Sequence, residues 1–80
     1  MAVKRISDDD VLTAVVERAG DGYCLIAEIL PSLPKRGHRD RRRAVHRAIN
    51  RGLLIERRGP DGREHVALAS EGWRQLRAAA

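Results

Sequence analysis

From residue 39 to residue 63 the chain leaves no spare linker. An amphipathic run, Arg39-Asp40-Arg41-Arg42-Arg43-Ala44-Val45-His46-Arg47-Ala48-Ile49-Asn50-Arg51, ends at Gly52 and is followed at once by Leu53-Leu54-Ile55. Gly59-Pro60-Asp61-Gly62 then stands ahead of Arg63-Glu64-His65-Val66-Ala67-Leu68. Proline presets one turn dihedral and glycine admits a positive φ, so this part predicts a β-hairpin over 53–68. Upstream the spacing predicts a helix over 40–51. Asp40 is expected to accept from the free N–H groups of its first turn, and Gly52 to supply the left-handed residue at its end.

At about 100° per residue, Val45, Ala48, Ile49 and Gly52 share one side of that helix, while Arg43, His46, Arg47 and Asn50 recur at helical spacing on the other. The first set is small and apolar and belongs in a core; the second carries donors. Arg47 lies at the middle of the expected outward stripe. Its replacement by Ala is therefore expected to leave the melting temperature nearly unchanged.

The remaining elements are marked by caps and breakers. Ser7 with Asp10 three residues on has the form of a capping box, and Asp8, Asp9 and Asp10 lie where a helix dipole favours negative charge. This predicts a first helix over 8–19, with Val11, Leu12, Val15, Val16 and Ala19 as its apolar stripe, after a flexible N-terminus over 1–6. Tyr23 and Cys24 suggest a very short strand before a second helix over 25–30, stopped by Pro31, and a flexible basic lead-in follows over 35–38. Ser70 is expected to cap a last helix over 71–79 that turns Trp73 and Leu76 inward or toward a second subunit. The fold class expected is α+β, three helices closed by a two-stranded hairpin and followed by a short C-terminal helix.

Charge is segregated along the chain. Residues 35–63 hold 11 basic and three acidic side chains, net +8, whereas the other residues sum to −3. Such a division within 80 residues points to a basic face toward a polyanion. Nowhere do apolar residues run long enough to span a bilayer, and residues 1–10 lack the apolar core of a signal peptide, so a cytoplasmic protein without membrane attachment is expected. Cys24 is the only cysteine, which excludes an internal disulfide.

Metal and enzyme chemistry are not indicated. Cys24, His38, His46 and His65 match no usual zinc-ligand spacing, and Cys24 lies in an apolar stretch that suits an inert buried thiol rather than a nucleophile. Neither a cofactor nor a metal is expected.

Three stretches carry a family resemblance. They are Gly52-Leu53-Leu54-Ile55-Glu56-Arg57, Asp61-Gly62-Arg63, and Val66-Ala67-Leu68-Ala69-Ser70-Glu71-Gly72-Trp73-Arg74-Gln75-Leu76. Together they resemble the helix end, wing and exit helix of winged helix-turn-helix transcription regulators, the multiple-antibiotic-resistance-regulator (MarR) type in particular. The resemblance implies a winged helix whose third helix enters the major groove of duplex DNA while the wing touches backbone or minor groove. By position it implies groove contacts from Arg43, His46, Arg47 and Asn50 and wing contacts from Arg57, Arg58 and Arg63. Arg39, Arg41, Arg42 and Arg51 complete the basic surface of the same helix. The long dimerisation helices of that type are missing, and Ala69-Ser70 replaces the usual Thr before Glu-Gly, so no effector cleft is expected.

Sequence-specific DNA binding by a small transcription regulator is thus the expected function. The alternatives are a winged helix used as a protein-interaction module and, more weakly supported, RNA binding, for which the chain lacks a platform of stacking aromatics. A homodimer is expected because one recognition helix reads few base pairs. Its expected surface is Val3 and Ile6 at one end and Trp73 and Leu76 at the other.

Overall fold

A computed structural model describes residues 5–34 and 37–79. These residues form an α+β arrangement, with four helices and a three-stranded antiparallel sheet among them. Helix α1 (Asp8–Ala19) starts as its sequence dictates: the Ser7 hydroxyl accepts from the Asp10 N–H at 3.1 Å, and the Asp10 carboxylate accepts from the Ser7 N–H at 3.0 Å. It ends at Gly20, whose φ of 61° suits glycine. Val11, Leu12 and Val15 are buried with Ala14, and Val16 and Ala19 pack beside them.

Strand β1 (Cys24–Leu25) leads directly into α2 (Ile26–Ile29), a single turn, and a 3₁₀ turn over Leu30–Ser32. The helix expected over 25–30 is therefore shorter, and Pro31 lies inside the 3₁₀ turn rather than ending a two-turn helix. Ile26, Ile29, Leu30 and Leu33 all enter the core.

Helix α3 (His38–Asn50) begins earlier than expected. Gly37 occupies the cap position, its carbonyl accepting from the Arg41 N–H at 3.1 Å, and no side chain caps the helix. Asp40 instead lies in the first turn, where the helix dipole favours a carboxylate without any capping bond. A carboxylate near a helix start suits both positions, so the sequence alone did not separate them. The lead-in expected over 35–38 falls partly on Lys35 and Arg36, outside the described residues, and His38 already belongs to the helix. At the other end Gly52, with φ 77°, lets the chain turn sharply: its N–H donates to Ile49 and that of Leu53 to Ala48, each at 3.0 Å.

Strands β2 (Leu54–Arg58) and β3 (Glu64–Leu68) pair antiparallel, from Leu54 opposite Leu68 to Arg58 opposite Glu64. The expected hairpin is present, but β1 pairs with β3 as well, Cys24 opposite Val66, so the sheet has three strands in the order β1-β3-β2. Leu54, Val66, Leu68 and Cys24 face the helices and close a core with Ile6, Val11, Leu12, Val15, Ile29, Val45 and Ala48.

Helix α4 (Ser70–Ala79) starts at Ser70 itself, and the Ala69 carbonyl accepts from the Trp73 N–H at 3.1 Å. Ser70 is thus the first helical residue, and Ala69 takes the cap position assigned to it from the sequence. Trp73 and Leu76 are half-buried against the core.

Ile6 is 3% exposed and belongs to that core. It is neither part of a flexible end nor free apolar surface for a second subunit. The expectations for residues 1–4, Val3 included, lie outside the described residues. Among the described residues no helix is long and apolar enough to cross a membrane.

Candidate functional site

The arginines of α3, together with Arg51 at its C-terminal cap, fall into two groups. Arg39, Arg42 and Arg43 are exposed, with His46 half-exposed and Asn50 exposed on the same outward side, opposite buried Ala44, Val45 and Ala48. The other three are turned onto the protein. Arg41 donates from Nε to the Pro34 carbonyl at 3.3 Å, tying α3 to the preceding loop. Arg47 donates through Nη2 to the Ile6 carbonyl, and its Nε lies 3.5 Å from Asp8. Arg51 pairs with the other oxygen of the same Asp8 carboxylate.

Arg47 therefore does not stand at the centre of the outward stripe. It lies at the flank, 26% exposed, against the start of α1. That start carries the negative charge that draws it in, and Asp8 keeps only 11% of its side chain in contact with solvent. Asp9 extends the junction by accepting from Gln75 of α4 at 2.9 Å. The aspartates thus serve the helix start and also hold α3 and α4 to α1.

The hairpin arginines have nearby partners within the chain, but all are exposed. Arg58 lies 3.6 Å from Glu64 across the ladder, and Arg63 lies 3.6 Å from Asp61 in the turn. An exposed pair such as Arg63–Asp61 is worth about 0–1 kcal/mol, so Arg63 can exchange its partner for an external anion at little cost, whereas Arg58 faces a carboxylate that is half-buried. Arg57 sits on the far face of the sheet, its guanidinium 5.8 Å from the centre of the Tyr23 ring. The hairpin cations accordingly do not form a single surface.

Helix and hairpin meet at one groove of about 500 Å³, lined by Leu25, Ile26 and Ala27 at the start of α2, by Arg42 of α3, and by Arg63 and Glu64 of the hairpin. Two cations from separate elements thus face the same open space. One oxygen of Glu64 is buried there without a hydrogen-bond partner. The α2 wall and Glu64 were not singled out in the sequence. Nothing short of the strand register brings them beside Arg42.

Cys24 is buried, and burial, reinforced by the charge of Glu28, pushes its thiol above the ordinary value. A raised, enclosed thiol is a poor nucleophile. Glu28 itself accepts from Arg18 and, at 3.0 Å, from the Leu25 N–H, and these bonds hold its carboxyl below the ordinary carboxylate range. Among the described residues no group of three or more His, Cys, Asp or Glu side chains is gathered where a metal ion could be held. Comparison of the chain with protein-family models, with curated proteins and with solved structures gave no match.

Proposed function

We propose that this chain is a winged helix-turn-helix domain that binds duplex DNA and acts as a small transcription regulator. In this reading α3 enters the major groove and the β2–β3 hairpin lies on the adjoining backbone or minor groove. The observation that carries it is the groove shared by Arg42 and Arg63. A helix whose outward side holds Arg39, Arg42, Arg43, His46 and Asn50 adjoins a hairpin cation over one open space. A polyanion following that line meets both elements at once.

The division among the arginines refines the site. Arg43 and Asn50 lie one above the other on the outward side and have the chemistry to read guanine and adenine edges respectively. Arg39, Arg42, Arg58 and Arg63 are placed for phosphates, which take half or more of the hydrogen bonds in such complexes. Arg41, Arg47 and Arg51 shape the domain and lend charge from behind.

Selection of bound duplexes from a random pool, followed by a salt titration on the best site, tests the reading. An enriched motif is expected, with log affinity falling against log salt by about 0.9 per phosphate contacted. A flat titration, or no binding at low salt, overturns it. An inverted repeat in the motif indicates that two copies bind together.

A further inference from the structure

The sheet has a second surface, which the DNA reading does not use. Strand β2 is an edge: it pairs with β3 on one side, and no strand lies along its other side among the described residues. The only large apolar side chains exposed among the described residues are Tyr23 at 43% and Ile55 at 46%. Both belong to the sheet face turned away from the helices. Ile55 is level with Ala67 in the ladder, and Tyr23, one residue before β1, is level with Ala67 on the opposite side. Ala67 is 4% exposed yet lies outside the core cluster, as expected of a small residue roofed by larger neighbours on the outer face. Tyr23, Ala67 and Ile55 therefore form an apolar row across three strands.

The row has a cationic border. Arg57, opposite His65 in the next rung, stacks its guanidinium over Tyr23, and a hollow of about 380 Å³ beside them is walled by Tyr23, Arg57, Arg58, Gly59, Pro60 and His65. Glu56, between Ile55 and Arg57 in sequence, alternates to the other face.

We propose that the free edge of β2 docks an extended acidic peptide segment of a partner protein. The segment adds a fourth strand, sets an apolar side chain beside Ile55 and, two residues on along the same face, places a carboxylate on Arg57, which Tyr23 holds from across β3. Backbone pairing along an edge supplies affinity, and side chains at alternate positions supply selectivity. Charge decides between the possible occupants. A second copy pairing edge to edge brings Arg57 and Arg58 near their own duplicates, the usual means by which edges refuse self-association. The same arginines attract an acidic strand.

The test is a titration of the isotope-labelled chain with a peptide of about six residues, Val-Ser-Asp-Ser-Val-Ser, whose valines and aspartate share one face of a strand, beside a control with lysine in place of aspartate. Amide shifts are expected along residues 54–58 and at Tyr23, with the lysine peptide without effect. Ile55→Ser and Tyr23→Ala each replace an exposed side chain and are expected to keep the far-ultraviolet dichroism of the parent. Each is expected to weaken the acidic peptide about tenfold and to leave duplex DNA affinity unchanged. The proposal is overturned if the shifts fall on α3, which would make the peptide a stand-in for DNA, or if both peptides bind equally. It is also overturned if sedimentation shows a dimer that Ile55→Ser abolishes, for then the second copy occupies the edge.

Discussion

Arg47 of α3 reaches back to Asp8 of α1, Nε to carboxylate 3.5 Å, while its Nη2 donates to the Ile6 carbonyl. This joins two elements far apart in sequence at a place where neither charge is fully hydrated. Arg47→Ala is accordingly expected to destabilise the domain by about 1–2 kcal/mol, since a charge-assisted bond to a carbonyl is lost and Asp8 keeps only Arg51. Urea unfolding measures it. A melting curve that coincides with the parent would return Arg47 to the solvent-facing stripe expected from the sequence.

Gly72 and Gly52 are both required, for different reasons. A methyl group on Gly72 would overlap the Leu53 carbonyl oxygen, which already accepts from the Ala69 N–H at 3.0 Å, and would lie 3.3 Å from Leu68 Cγ. At Gly52 nothing lies within 4 Å of such a methyl, but φ is 77°. Gly72→Ala is expected to cost about 1–3 kcal/mol through backbone displacement, and Gly52→Ala about 1–2 kcal/mol through its dihedral. Asparagine tolerates the left-handed region, so Gly52→Asn should recover part of the loss while Gly72→Asn is worse than alanine. Thermal unfolding of the four variants separates the causes.

Those two glycines also show how far the sequence was legible. Gly52 announced itself, because a glycine directly after an amphipathic run has one common use, and the Ser7–Asp10 box and the Gly59–Gly62 turn were equally local signals. Gly72 has a role only through Leu53, a residue of another element, and no spacing reveals that. Arg47 failed for the same reason. Helical periodicity grouped it with Arg43, His46 and Asn50 at the middle of the outward stripe, and could not tell that an aspartate of α1 draws it to the flank. Ile6 was read as part of a free end because the core that encloses it comes from α1, α3 and the sheet. A very short strand was expected at Tyr23 and Cys24 and lies at Cys24–Leu25, but its place in the sheet was not legible, because two residues form a strand only through pairing with β3. Of the candidate site, the outward set on α3 was legible; the grouping of Arg42 with Arg63, and of Arg57 with Tyr23, was not.

Glu28 gives the domain an acid-sensitive tie. Its carboxyl is held below the ordinary 4.5 by Arg18 and by the Leu25 N–H, so the folded chain binds this proton less readily than the unfolded chain. That contribution is present above the unfolded value and is lost as pH falls through the depressed folded value. Unfolding midpoints of the parent and of Glu28→Gln are therefore expected to differ at neutral pH and to converge as pH falls through the depressed folded value. A constant gap down to acid pH would show that the carboxylate charge has no part in the tie.

Cys24 acts in the opposite direction. Burial raises its thiol above 9.0, so stability is intact below that pH and declines as pH rises from the unfolded value through the folded one. Cys24→Ala is expected to flatten the alkaline decline. Labelling of the parent by a thiol reagent at pH 8 should wait on unfolding and accelerate with urea. Immediate labelling in native buffer would place the thiol at the surface.

The DNA reading makes a last, geometric demand on α3 and the hairpin. Arg43 is exposed on the outward side one helical turn from His46 and Arg47, while Arg42 faces the groove that it shares with Arg63. Arg43→Ala is expected to cost about 1–3 kcal/mol on the selected site and to flatten discrimination at one or two base positions, as loss of a bidentate guanine contact does. Arg42→Ala and Arg63→Ala are expected to weaken all duplexes alike, each making the salt slope shallower by about one contact. If the two cations hold a single phosphate, the double variant loses little more slope than either alone; if they hold separate phosphates, the losses add. Because Arg42 and Arg63 are exposed, neither change should move the melting temperature. Arg43→Ala should likewise leave it in place, in contrast to Arg47→Ala on the next turn. Should Arg43→Ala, Arg42→Ala and Arg63→Ala all keep full affinity and selectivity in folded protein, the outward side of α3 is not the reading surface.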